Sequence, residues 1–159
     1  MRIFVDGSVE PGNPGGTVGY GFHVDGGHFE YDGYGNAFRG GESASNNVAE
    51  YMAVAAALTW FLPYASVNDH PPDGELEILS DSQLVVNQLN GEWRVRHSNV
   101  KPIAAVTHLL IEQLNQLGWV VKATWIPREE NRLADKLSRR ATNEGLKDRL
   151  PLTRREESE

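Results

Sequence analysis

Four acidic residues stand out by the company they keep. Asp6 closes the apolar run in RIFVDGS, and Asp81 follows the apolar run in LEILSDSQ. Glu50 lies in the Ala-rich stretch SNNVAEYMA, and Asp135 in NRLADKLS. The first and third positions read as strand ends, the second and fourth as points on amphipathic helices. A carboxylate on a buried element costs roughly several kcal/mol if left unpaired. A chain that places four of them this way is expected to gather them around positive charge. Hard carboxylate oxygens suit divalent metal ions.

The elements that must carry these acids follow from periodicity and punctuation. Arg2–Val5 reads as a strand, and Gly12, Asn13, Pro14, Gly15 and Gly16 as a turn-rich loop. Residues 17–24 and 28–35 read as two strands joined by the hairpin signal Asp25-Gly26-Gly27. Residues 47–62 carry apolar side chains at helical spacing, with Pro63 and then Pro71-Pro72-Asp73-Gly74 expected to break the helix. A strand at 76–79 and a helix at 82–89, ended by Gly91, come next. A helix at 102–117 ended by Gly118, a strand at 119–126 and a helix at 131–142 complete the reading. The order β-β-β-α-β-α-α-β-α implies three antiparallel strands extended by right-handed crossovers, an α/β mixed sheet flanked by helices. Sites in such sheets form where strands end at a topological switch. If the first and fourth strands are parallel neighbours, Asp6 and Asp81 meet at one edge.

The bulk composition bounds the class. At 159 residues the chain is most simply one domain with a real core. No cysteine is present, so disulfides and thiolate metal sites are excluded. No apolar run is read as approaching the roughly 20 residues of a membrane span, and Met1 leads straight into a strand pattern. No membrane association, a cytoplasmic location and a monomer are the resulting expectations. Net charge is −7, but residues 1–100 hold 4 Lys/Arg against 13 Asp/Glu, while residues 101–159 hold 11 against 9. Basic charge therefore concentrates late, above all between Arg128 and Arg140. An acidic site facing a basic stretch could accept a polyanion; a solvated helix face of mixed charge has the same composition.

Five segments together resemble the type 1 ribonuclease H family: DGS at 6–8, GNPGG at 12–16, SNNVAEYMA at 45–53, SDSQLVVNQLNGEW at 80–93 and REENRLADKLS at 128–138. The likeness spans residues 1–142, with 143–159 left as a C-terminal tail expected to be partly disordered. It implies a ribonuclease H-like fold, a five-stranded mixed sheet with helices on both sides. It implies hydrolysis of the RNA strand of RNA–DNA hybrids, with two Mg²⁺ ions (Mn²⁺ as an alternative) held by Asp6, Glu50, Asp81 and Asp135. Two ions about 3.5–4 Å apart can hold both the attacking water and the leaving oxygen. Asn13, Asn46, Asn47 and Gln83 then correspond to contacts in the hybrid's minor groove, where amides can both donate and accept. Taken alone, Asn46 and Asn47 also suit helix N-capping.

Two departures from the family pattern matter. Many members carry a histidine in a loop before the last carboxylate, but the segment from Trp125 to Asp135 has none. Arg128 is the candidate substitute at the scissile phosphate, with surface solvation the plainer reading. The basic protrusion that some members insert after the second helix is also missing, and Ser43 stands where some relatives hold a DNA phosphate with a basic side chain. Trp93 is a candidate to stack on a deoxyribose, or else packs on the long helix. Trp60, Trp119 and Trp125 are expected in the core. The readings from other classes are a non-catalytic hybrid-binding module and another metal nuclease of the same superfold, such as a resolvase or transposase core.

Overall fold

The computed structural model describes residues 1–67 and 74–147. Five strands form one sheet: β1 (Arg2–Glu10), β2 (Thr17–Asp25), β3 (Glu30–Arg39), β4 (Glu75–Ser80) and β5 (Val120–Trp125). Their order is β3-β2-β1-β4-β5. The pairs β1/β2 and β2/β3 are antiparallel, whereas β1/β4 and β4/β5 are parallel. Among the described residues four α-helices accompany them: α1 (Asn46–Val67), α2 (Gln83–Leu89), α3 (Lys101–Gln116) and α4 (Arg132–Lys147). The mixed sheet expected from the sequence is thus present. α1 packs on β1 and β2 and carries α3 behind it, while α4 packs on β1, β2 and β3.

The core lies between the sheet and α1. Ile3, Val5, Val24, Leu76 and Ile78 from the strands meet Val54, Leu58 and Phe61 from α1. Two expectations about α1 need correction. It runs through Pro63 to Val67 instead of stopping at residue 62. A proline inside a helix costs about 3 kcal/mol, but Phe61 and Ala65 on either side of it are buried and hold the rod against the core. By length and hydropathy α1 also meets the criteria for a membrane span, contrary to the expectation that no run approaches one. Its most apolar window is 56% buried within the domain, as suits a core helix. Of the break expected at residues 71–74, positions 71–73 lie outside the described residues, as do residues 148–159 of the expected tail. α4 itself continues past residue 142 to Lys147.

The first strand is longer than expected, and this changes where Asp6 sits. β1 continues to Glu10 because β2 pairs with it along its whole length, up to Glu10 opposite Thr17. On its other side β1 pairs with β4 only over Arg2–Phe4. Asp6 is therefore inside a strand, just beyond the point where the parallel neighbour stops. The register Phe4↔Leu79 carries forward to set Asp6 across from Asp81, the residue that follows β4.

Candidate active site

Glycines let the surrounding elements close on Asp6. A Cβ at Gly7 would lie 2.1 Å from the Ala49 backbone and 2.5 Å from the Glu50 nitrogen. The bare backbone at Gly7 thus lets the first turns of α1 rest on β1. There the Gly7 backbone favours the charged form of the Glu50 carboxyl. On the opposite face, a Cβ at Gly21 would meet the Ser138 nitrogen at 2.5 Å, and one at Gly19 the Ser138 carbonyl at 2.9 Å. α4 consequently sits close over β2 and β1.

Carboxylate oxygens of Asp6, Glu50 and Asp81 all lie within 4.8 Å of one another. The Asp6 carboxyl is pushed up to about 7, chiefly by burial and also by the nearby Asp81 and Asp135 charges, with the Ser138 hydrogen bond working against them. Burial and the Asp6 and Asp81 charges raise Glu50 well above the usual carboxylate range. Asp81 is also raised by burial, with Arg128 opposing. The Glu50 Oε2 atom is buried with no hydrogen-bond partner. Three oxygen donors and an orphaned buried oxygen are a donor set that suits a hard divalent cation.

These groups line a cleft of about 300 Å³ together with Asn46, Asn47, Ser82, Arg128, Asp135 and Arg139. Asp135 lines this cleft without joining the close group of three, and its Oδ1 accepts from Arg139 Nε at 3.2 Å. Arg128 is largely exposed, with its Nε 3.9 Å from Asp81 Oδ2. Basic charge from the last quarter of the chain therefore rims an acidic floor.

The remaining candidates take varied positions. The α1 cap is Ser45, whose Oγ accepts from the Val48 N–H at 3.4 Å. Asn46 and Asn47 are thus spared from capping, and both face the cleft. Asn13 accepts the Asn46 backbone N–H at 3.1 Å and ties the glycine-rich loop to α1. Gln83 opens α2 and is exposed two residues beyond Asp81, outside the cleft lining. Trp93 is 48% exposed, in a separate depression with Leu84, Arg94, Arg96 and His97. Packing on the long helix does not bury it. Of the three tryptophans expected in the core, Trp119 is buried, while Trp60 is half-buried against Tyr31. Trp125 is 45% exposed, because its Nε1–H reaches out to donate to the Asp81 carbonyl at 3.1 Å.

Sequence reasoning missed two residues behind the carboxylates. Asn131 is buried and donates through Nδ2 to the Val5 carbonyl at 2.9 Å. Its amide also favours the charged form of Asp81. Ser138 is buried and donates to Asp6 Oδ2 at 2.6 Å. Both occur in NRLADKLS at helical spacing from Asp135, four before and three after. That spacing on one face was the available signal.

The family model described as reverse transcriptase-like matches residues 30–141. The chain belongs to this family. Among solved structures, its fold matches the N-terminal RNase H domain of a Mycobacterium tuberculosis protein, with TM-score 0.72 and 28% identity over 92% of this chain and 97% of that one. It also matches LC11-RNase H1, solved in complex with an RNA/DNA hybrid, with TM-score 0.74 and 28% identity over 91% and 98%. RNase H1 of the halophilic archaeon Halobacterium salinarum matches with TM-score 0.71 and 28% identity over 90% and 97%. The fold is that of ribonuclease H. A bifunctional protein of Mycobacterium tuberculosis is 32% identical over 95 residues, 60% of this chain but only 23% of that protein. The chain thus matches less than a quarter of the length of its curated relatives.

Proposed function

We propose that this chain is a metal-dependent endoribonuclease that cuts the RNA strand of RNA–DNA hybrids, leaving 3′-hydroxyl and 5′-phosphate ends. The observation that carries this reading is the close group of Asp6, Glu50 and Asp81 at the floor of an open polar cleft. The matched fold of LC11-RNase H1, bound to an RNA/DNA hybrid, supports the choice of substrate.

Asp6, Glu50 and Asp81 would hold divalent ions, with Asp135 completing the set. Mg²⁺ is the expected metal, as a pair of ions, with Mn²⁺ as a substitute. When bound, such ions supply an activated water and neutralise charge at the leaving oxygen. The chain's own residues do the rest. Asn46 and Asn47 offer amides at the cleft to the 2′-hydroxyl that separates RNA from DNA. Asn13 fixes the loop beside them, and Gln83 extends the amide row along α2. Arg128 and Arg139 offer guanidinium groups to the backbone phosphates, and Trp93 offers an exposed ring to the DNA strand. Net charge of −7 makes binding modest and strongly salt-dependent.

One assay tests this. An RNA–DNA hybrid, an RNA duplex, a DNA duplex and single-stranded RNA are each incubated with and without Mg²⁺. Cleavage of the hybrid's RNA strand alone, and only with metal, is expected. Hybrid binding without cleavage would show a non-catalytic module. Cleavage of the DNA duplex with the hybrid intact would show a different nuclease of the same superfold.

A further inference from the structure

One residue ties the two flanks of the cleft together. We propose that Ser138 is a positioning residue for metal binding, orienting the Asp6 carboxylate and locking α4 onto β1 so that Asp6 and Asp135 keep a fixed spacing. The inference rests on the metal-dependent reading above and deepens it.

Ser138 has no solvent exposure. Its hydroxyl lies 2.6 Å from Asp6 Oδ2 and 2.8 Å from the Asp135 carbonyl. It has one proton to give, and the shorter contact to a carboxylate takes it. The Ser138 carbonyl in turn accepts from the Ser8 hydroxyl at 3.0 Å. One residue of α4 therefore holds β1 at both Asp6 and Ser8, while its hydroxyl sits against the turn that carries Asp135.

The Ser138 hydroxyl is the side-chain donor held against Asp6 among the described residues. It engages Oδ2 from the α4 side and makes no use of Oδ1, while Asp6 itself lines the cleft. The close approach depends on Gly19 and Gly21, where a Cβ would strike the Ser138 backbone. β2 thus carries two glycines at the place where α4 must deliver a small hydroxyl.

The test is Mn²⁺ titration of metal-free protein, without substrate, by calorimetry. Ser138→Ala is expected to weaken Mn²⁺ binding by about tenfold, the lower end of what losing an outer partner of a metal ligand costs. The Mg²⁺ concentration for half-maximal cleavage should rise by a similar factor, with the rate recovering at high Mg²⁺. A purely structural role would not produce that recovery. If Ser138→Ala does not fold, Ser138→Cys takes its place, a somewhat larger side chain that fills the site but donates only weakly. Unchanged Mn²⁺ affinity in the folded variant overturns the proposal. Failure of the parent protein to bind Mn²⁺ would instead overturn the metal-dependent reading beneath it.

Discussion

Two of the molecule's grooves differ sharply in character. One of them, about 550 Å³, is the larger of this pair; it lies where β2 and β3 meet α1 and α3, and is lined by Tyr20, Phe22, Tyr31, Met52, Trp60 and Ile103 among others. The smaller, about 300 Å³, holds the carboxylates. Size and apolar lining usually mark a small-molecule site. In the larger groove, however, the side chains satisfy one another: Tyr31 stacks on Trp60 at 4.9 Å, and Trp60 lies nearly parallel to Tyr64. It is a packing seam. In the smaller groove Glu50 Oε2 has no partner, and three acids crowd within 4.8 Å. Unmet electrostatic demand marks the site better than volume does.

Three substitutions and one change of conditions test the contrast. Asp6→Asn should abolish cleavage, by about 10³-fold or more, since metal-held charge stabilisation contributes several kcal/mol and each 1.36 kcal/mol is about tenfold. Its metal-free thermal midpoint should not fall, because the change removes a charge from a repulsive cluster. Near-parental activity would mean that Asp6 does not hold the metal.

Asp135→Asn should be milder, roughly 10- to 100-fold in kcat, because Asp135 stands outside the close three and is already paired with Arg139. A loss as complete as that of Asp6→Asn would show that all four acids act as one unit. In the other groove, Trp60→Ala should cost about 2 kcal/mol in a denaturant titration, less than a fully buried tryptophan, while kcat per folded molecule stays unchanged. A specific loss of kcat would show that the aromatic seam takes part in function.

The smallest effect is the pH dependence of the metal-free fold. Asp6, raised from 3.8 to about 7, and Glu50, also raised, keep protons in the folded protein that the unfolded chain releases. The folded state therefore binds more protons between about pH 4 and pH 7, and stability falls as pH rises through that window. In chelator, the thermal midpoint should be a few degrees lower above the window than inside it. Millimolar Mg²⁺ should shrink the difference, since it binds only the assembled site. A midpoint that is flat with pH in chelator and indifferent to Mg²⁺ would argue against the crowding.

Much of this arrangement was legible in the residues. DGS, NNVAE, SDSQ and NRLAD point to Asp6, Glu50, Asp81 and Asp135, and glycine and proline punctuation yields the element order. The misreadings share a cause. Val5 looked like the end of a strand because a charged residue follows it, but β2 pairs onward to Glu10. Pro63 looked like a stop, but buried neighbours carry the helix through. Trp125 looked like core, but it faces out to hold the Asp81 backbone. Each depends on a partner far away in sequence, which local propensity cannot supply.

By itself, the sequence determined which groups could do chemistry and on which kind of element each sits, because residue type and periodicity are local properties. The tertiary structure alone decided which acids meet. The parallel register of β1 and β4 brings Asp6 beside Asp81, and the missing Cβ at Gly7 lets α1 deliver Glu50. The glycines of β2 admit Ser138 behind Asp6, while Asp135 stays at the rim with Arg139. Backbone approach at those few glycines sets the spacing of charges that lie up to 129 residues apart, from Asp6 to Asp135.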